Sequence, residues 1–397
     1  MGTKDKKGGR RKRHLFYVCF EDLTQEGAWT VHIREVVDNW ERLGVRVTLF
    51  APGIWPFSVR PACDVVYVPT INVRIVREYL YLIVVALYIL LFGLRRRPAA
   101  VYCREMSLIT PIACCARLLG APVVMEINGF ILRDLRMIGV SRAKLAVFKL
   151  FEWVNLKVAD SLVFAGKNYL RLFRKEYRID ERKVRFVPNG VDTGLFSPGN
   201  KTDAARQLGL DIKKRYITFV GTFYPHSLTP VIVRAARIVV TKHADIDFVM
   251  VGEGHDLARC KDLAEELGIA GRVLFPGMKK NRDIPVYLRA STILIDLTVD
   301  GSESATMKLL EYMSSGGTVI GNSTSAFGLP LTHKKDYYRI ERATPGQLAG
   351  AIETLAYDES LTAEIGKSAR DLVIDNFSWE KTAAKLLAVV DEVCDDR

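Results

Sequence analysis

Short apolar runs alternate along this chain with longer segments whose apolar residues recur every three to four positions. "LFYVCF" reads as a buried strand, and "EGAWTVHIREVVDNWERLG" follows at helical spacing, closing on Gly44. "VRVTLF" returns to strand. The alternation continues through "DVVYV", a long helix, "AAVYC", a helix ending at Gly120, "PVVMEI", a further helix, "SLVFA" and "KVRFV". Unbroken apolar runs belong to strands buried on both faces, so this grammar predicts a parallel sheet covered by helices. It restarts with "RYITFVG", "IDFVMVG", "RVLFPG", "TILIDL" and "GTVIGN". The expected fold class is α/β, with two Rossmann-like doubly wound lobes and a cleft between them. The first lobe is expected over 14–195 and the second over 205–376, joined near "NGVDTGLFSPGNKTD", where Gly, Pro, Asn and Ser cluster. The last helix, in 377–397, has no strand after it and is expected to pack back on the first lobe.

Length and composition agree with this division. A chain of 397 residues is too long for one compact core, and a hydrophobic content of 49% excludes wholesale disorder. Charge adds an asymmetry. Residues 1–200 hold 32 Lys+Arg against 18 Asp+Glu, a net of 32 − 18 = +14; residues 201–397 hold 25 against 27, a net of −2. The basic excess suits an anionic membrane surface or nucleic acid. Without a nucleic-acid module or interleaved aromatics, residues 1–13 read as a disordered polybasic arm near a membrane, and nucleic acid is not an expected partner. The seven cysteines form no C-x-x-C or Cys/His cluster, which points to reduced thiols, no disulfides, no zinc site and a cytosol-facing protein. The polar N-terminus does not read as a signal peptide, and "MGTKDK" carries lysine where a myristoylation motif needs Ser or Thr.

One segment stands apart. "REYLYLIVVALYILLFGLRRR" contains sixteen uncharged residues, Tyr79 to Leu94. As a helix they reach about 24 Å at roughly 1.5 Å per residue, short of a bilayer core of about 30 Å. Arginines flank both ends. The expected arrangement is a helix lying in the membrane interface, anchored by these arginines and by Tyr79, Tyr81 and Tyr88; the alternative is a fully buried core helix. A second basic amphipathic stretch carries Arg133, Arg136, Arg142, Lys144 and Lys149. Together they predict a peripheral protein on the cytoplasmic face of a membrane.

The chemistry is concentrated in "ESATMKLLEYMSSG", where Glu303 and Glu311 stand eight residues apart. A carboxylate accepts hydrogen bonds at two oxygens, which suits a vicinal diol. The helix start between the two offers free backbone N–H groups and a positive dipole end to a diphosphate, with Lys308 as a point charge. Taken alone, the same residues also read as an N-terminal helix acid and a solvated face residue. Together with "VPNGVDTGLFSP" and "VGEGHDLARCKDLAEELGIAGRVLFPG", in this order, the segment resembles the retaining GT-B glycosyltransferases of glycosyltransferase family 4. The resemblance covers most of the chain and is strongest over 184–322.

The resemblance implies transfer from a nucleotide-diphosphate sugar with retention of configuration, the leaving diphosphate itself taking the acceptor's proton. Glu303 then holds hydroxyls of the donor sugar and Glu311 the nucleotide ribose. Ser304, Ala305, Thr306 and Lys308 line the diphosphate, and backbone around Phe275 and Met278 meets the base. Gly27, in the first strand–loop–helix, matches a glycine that admits the donor phosphates or the acceptor, with an ordinary loop glycine as the alternative. Asn128 stands where many members carry a histidine near the reacting sugar, which makes Glu303 and Asn128 the expected catalytic pair. Arg104, at another strand end, is a candidate acceptor contact or a surface arginine. The segment "FVGTFYPHSLTP" departs from the family pattern: after Gly221 the arginine position is Thr222, and the lysine position falls near Ser227, beside His226. Lys308, His226 and Arg104 are the candidate replacements. No cofactor or essential metal is expected; "DID" at Asp245–Asp247 reads as a solvated turn. The expected acceptor is lipid-linked or membrane-embedded, as in polysaccharide or glycolipid synthesis. The other readings are a catalytically weak nucleotide-sugar-binding partner subunit and a GT-B sugar epimerase.

Overall fold

The computed structural model describes residues 13–24, 27–53, 63–70, 74–137, 139–299, 303–304 and 306–396; the side chains of 28, 74–76, 134, 137, 303 and 304 fall outside that description. The tail expected over 1–13 lies outside it except for Arg13. The chain divides into two compact units. The first comprises the described part of Met1–Ala165 with Tyr169–Val187 and Ala383–Arg397; the second comprises Gly166–Asn168 and Pro188–Thr382. The change of unit at 187/188 falls earlier in the chain than 195.

In the first unit the parallel strands are β1 (His14–Val18), β2 (Arg46–Gly53), β3 (Asp64–Pro69), β4 (Ala100–Arg104), β5 (Val123–Ile127), β6 (Ser161–Phe164) and β7 (Val184–Phe186). They lie in the order β3-β2-β1-β4-β5-β6-β7. Helices α1 (Ala28–Arg42), α2 (Arg74–Arg95), α3 (Thr110–Leu118), α4 (Ile131–Met137), α5 (Arg142–Val158) and α6 (Lys167–Glu176) come between or beside them. Strand order reverses between β1 and β4, the switch point at which open α/β sheets bind ligands.

Helix α2 is half inside and half outside. Tyr81, Leu82, Val85, Ala86 and Ile89 are buried in the core, while Ile83, Leu87, Leu91 and Leu94 are 53–70% exposed along the opposite face. The expected tyrosine anchors separate accordingly. Tyr81 turns inward, its hydroxyl reaching the carbonyls of Cys19 at 2.6 Å and Phe50 at 3.0 Å, whereas Tyr79 is 41% exposed. Tyr88 is half-buried and stacks on Phe92.

The second unit repeats the plan. Its main sheet contains β8 (Arg215–Val220), β9 (Ile246–Val251), β10 (Val273–Gly277), β11 (Ile293–Asp296), β13 (Val319–Gly321) and β16 (Tyr338–Arg339), parallel and ordered β10-β9-β8-β11-β13-β16. A small sheet joins β12 (Glu303–Ser304), β14 (Ser325–Ala326) and β15 (Leu329–Pro330). The helices are α7 (Lys201–Gln207), α8 (Thr229–Lys242), α9 (Leu257–Glu266), α10 (Ile284–Ala290), α11 (Met307–Ser314), α12 (Pro345–Leu355), α13 (Glu359–Asn376) and α14 (Trp379–Asp395). From Ala383 onward α14 belongs to the first unit, where its Ala383 carbonyl accepts from the indole N–H of buried Trp40 at 2.8 Å.

Asp245 closes the turn before β9 with its side chain 37% exposed, but Asp247 is inside the strand and buried. Asp247, 7% exposed, pairs with Lys214 at 2.5 Å and with Arg272, while Asp245 pairs with Arg215 at 2.7 Å and accepts from Tyr357. Burial at the head of β9 requires the Asp247 carboxylate to meet cations.

Candidate active site

The strand order of the second unit reverses between β8 and β11, and the residues of interest gather at the carboxyl ends of these strands. Helix α11 is fastened there by Tyr312. Its fully buried hydroxyl accepts from the Val220 N–H at 2.6 Å and donates to the Val220 carbonyl at 2.9 Å, on the last residue of β8. This anchor brings the first turn of α11 beneath the loop that leaves β8.

Lys308 occupies that turn. Its ammonium lies 3.3 Å from Asp296 at the end of β11 and 4.7 Å from the centre of the Phe219 ring on β8. Its Cδ is 3.5 Å from where a side chain on Gly221 would begin. The cation missing from the loop after Gly221 is therefore supplied next to that loop, from a helix much further along the chain. Within the loop, Thr222 is exposed, and exposed His226 stacks on Tyr224 with the rings 6.0 Å apart.

Glu311 follows Lys308 by one turn. It is partly buried and accepts from the Asn281 side chain at 3.4 Å. Burial pushes its carboxyl from 4.5 up to about 7, and the Asn281 hydrogen bond only partly opposes that. A partly buried carboxylate with one weak side-chain donor among the described residues has acceptor capacity for further hydroxyl groups. The solvated-face alternative for Glu311 does not fit this placement.

Glu303 lies in strand β12, paired with Ser325, and so precedes the helix rather than capping it; Thr306 is the residue at the helix start. The side chains of Glu303 and Ser304, and the whole of Ala305, lie outside the described residues. Phe275 is half-buried against Phe223, and Met278 is 64% exposed just beyond β10.

Gly252 explains why the loops after β8 and β9 come so close. A side chain there would start 1.9 Å from the Gly221 carbonyl oxygen, at a φ of +132°. Only glycine permits that contact.

In the first unit, a buried charge network sits at the carboxyl ends of β1, β4 and β5. Arg104, 7% exposed, donates to Glu21 at 2.5 Å and lies 3.9 Å from Glu126. Glu126, 2% exposed, is 2.7 Å from His32 of α1. Burial alone would raise the Glu126 carboxyl, but His32, Arg104 and Asn128 outweigh it and hold it at about 2. Arg104 is thus an interior cation paired with two carboxylates. Asn128 follows β5 directly, beside this network. Gly27 precedes α1, and the Trp29 ring lies 2.8 Å from where a side chain on Gly27 would begin.

Sequence reasoning did not reach Asp296, Asn281, Tyr312, His32, Glu21 or Glu126. Asp296 was visible as a lone charge in the apolar run "TILIDL", and Glu126 as the same anomaly in "VVMEI".

Comparison with known proteins then decides the family. Residues 200–372 match the model "Glycosyl transferases group 1", and residues 30–195 match "Glycosyltransferase Family 4". The chain belongs to glycosyltransferase family 4. Among its curated relatives within this family, a D-inositol 3-phosphate glycosyltransferase of Acidothermus cellulolyticus is 29% identical over 60% of this chain, and the alignment spans 54% of that protein. The chain thus spans about half the length of such relatives. The Escherichia coli enzyme UDP-Gal:alpha-D-GlcNAc-diphosphoundecaprenol alpha-1,3-galactosyltransferase is 25% identical over 81% of both chains. Solved structures show the same GT-B fold: a glycosyltransferase from Rickettsia africae (TM-score 0.74, 17% identity, 98% of this chain and all of that one) and sucrose-phosphate synthase from Thermosynechococcus elongatus (0.77, 16%, 97% and all). Anabaena HepE, solved with UDP-glucose, has a TM-score of 0.71 at 13% identity, covering 96% of this chain and 99% of that one.

Proposed function

We propose that this family 4 glycosyltransferase moves a sugar, with retention, from a nucleotide-diphosphate sugar to a lipid-linked acceptor. The observation that carries the donor half is the arrangement at the head of α11: the Lys308 ammonium beneath the Gly221 loop and, one turn on, the partly buried Glu311 carboxylate. An ammonium at a helix N-terminus neutralises a leaving diphosphate, which is the charge that develops in the transition state. The Glu311 carboxylate accepts from the ribose diol and Glu303 from hydroxyls of the transferred sugar. No protein nucleophile is needed, because the departing diphosphate takes the acceptor's proton. The complex of HepE with UDP-glucose and the UDP-galactose donor named for the Escherichia coli relative make uridine diphosphate sugars the first donors to test.

The acceptor half rests on the first unit's surface. The apolar ridge Ile83, Leu87, Leu91 and Leu94 of α2 faces solvent and ends at exposed Arg95, Arg96 and Arg97. Helix α2 packs on α3 and α3 on α5, and Tyr79 touches Phe151 of α5 at 6.3 Å between ring centres. Helix α5 adds exposed Val147, Leu150 and Trp153 among Arg142, Lys144 and Lys149. By length and composition α2 also passes as a membrane span. Its inner face is part of the core, however, which favours a helix lying in the interface, apolar face down, over an anionic leaflet. This favours a polyprenyl-diphosphate sugar or a glycolipid over the water-soluble inositol phosphate named for the other relatives.

A thermal-shift panel of nucleoside diphosphates and their sugars tests the donor half, since a ligand that binds only the native state raises the melting temperature. Flotation with anionic liposomes at low salt tests the other. A protein that ignores every nucleotide, or that stays with the soluble fraction, contradicts the corresponding half.

A further inference from the structure

A fully buried carboxylate stands beside the proposed diphosphate site with an almost empty set of partners. Asp296 is 0% exposed at the end of β11, and neither of its carboxylate oxygens makes a hydrogen bond among the described residues. Its one charged partner among those residues is Lys308, 3.3 Å away. A purely structural buried aspartate is surrounded by donors, as Asp247 is by Lys214 and Arg272 at the head of β9. Among the described residues Asp296 instead faces one ammonium, which also lies over the Phe219 ring at 4.7 Å. Phe219 and Asp296 lie on β8 and β11, the two strands that flank the switch point.

We infer that Asp296 is a positioning residue that pins the Lys308 ammonium, already charged and already in place, for the donor's diphosphate. The inference rests on the donor reading above. A lysine stem has several rotatable bonds and strays when free. Held between a buried carboxylate and an aromatic face, it meets the diphosphate without being ordered first, which is the preorganisation that electrostatic catalysis needs. It also explains how the chain dispenses with cations in the Gly221–Leu228 loop: one immobile ammonium stands in for them. The pair carries no net charge before the donor arrives, so Lys308 is not left as an isolated, poorly hydrated cation, 14% exposed, in the empty site.

The test compares UDP with uridine, which differ by the diphosphate alone, using calorimetry on wild type, Asp296→Asn, Lys308→Met and the double variant. Wild type is expected to prefer UDP strongly. Asp296→Asn lowers the UDP-to-uridine affinity ratio at least tenfold and leaves uridine unchanged; Lys308→Met does the same; and the double variant loses no more than Lys308→Met, because one interaction is removed twice. A merely structural Asp296 lowers the melting temperature but leaves the ratio where it was, and that result overturns the proposal. Should Asp296→Asn fail to fold, Asp296→Glu keeps the charge and shifts the ammonium by about one methylene: a lowered ratio supports the inference and an unchanged ratio overturns it. A wild type that binds UDP no better than uridine, and no other nucleoside diphosphate better than its nucleoside, overturns the donor reading itself, and is told apart because it appears before any variant is made.

Discussion

Glu311 offers a test in which stability and function move in opposite directions. Its carboxyl is raised from 4.5 to about 7, chiefly by burial. At about 1.36 kcal/mol per pKa unit, the native state favours the protonated form by about 3 kcal/mol, an upper value because the group keeps some contact with solvent. The sign follows from proton counting. Between about 4.5 and about 7 the native state binds more protons than the unfolded chain, so stability falls as pH rises through that window and is level above it. Glu311→Gln removes the ionisation. The variant and wild type should melt together near pH 4. At pH 8 the ligand-free variant should be the more stable by up to about 3 kcal/mol, or roughly 6–12 °C for a unit of this size. In the presence of saturating amounts of the preferred nucleoside diphosphate that gain should shrink to below about 2 kcal/mol, because the variant binds the ligand less tightly. Hydrogen bonds to a charged group contribute about 1.5–3 kcal/mol, so losing the ribose acceptor should weaken binding roughly 10- to 100-fold. Differential scanning fluorimetry across pH, with and without nucleotide, reads both effects. A variant that shows no gain at pH 8 and the same nucleotide shift as wild type refutes the assignment of Glu311.

Further outcomes follow from other parts of the molecule. Leu87→Asp with Leu91→Asp alters an exposed ridge, so melting should be unchanged while liposome flotation falls at least tenfold, because about 1.5–3 kcal/mol of apolar burial is lost per leucine; equal flotation would place the membrane contact elsewhere. Gly252→Ala puts a methyl group onto the Gly221 carbonyl and should destabilise the chain by about 1–3 kcal/mol or more and abolish nucleotide binding, measured by melting and calorimetry. Glu126 titrates in the opposite sense to Glu311: its carboxyl is held at about 2, so its stabilising contribution is complete above about 4.5 and disappears as pH falls towards 2. Glu126→Gln should cost about 3–5 kcal/mol at pH 7, where Arg104 loses one of its two carboxylates and His32 loses its contact with Glu126, and the gap should close in acid melts.

Periodicity in the chain was enough to read both sheets, because parallel strands buried on two faces are unbroken apolar runs and the helices between them are amphipathic. The two-residue strands β12, β14, β15 and β16 left no such trace, being too short to carry a period. Glu311 was legible by its spacing from Glu303, yet its hydrogen-bond partner was not, since Asn281 lies thirty residues away in the chain. Lys308 was recognised as a charge at a helix start. Its position under Gly221 required the Tyr312 anchor, which joins α11 to β8 across ninety residues. The His32–Glu126–Arg104–Glu21 network was hidden for the same reason: each member sits at the end or start of a different element, and only the strand order brings them together. Helix α2 was legible as an apolar helix with basic flanks, but which of its tyrosines faces the core was decided by the carbonyls of Cys19 and Phe50.

The most direct measurement is a crystal structure of this protein soaked with whichever nucleoside diphosphate raises its melting temperature most. The account predicts ribose hydroxyls within hydrogen-bonding distance of Glu311 and the diphosphate against Lys308 at the head of α11. Density for the nucleotide at any other place on the chain, with Glu311 and Lys308 untouched, would contradict it.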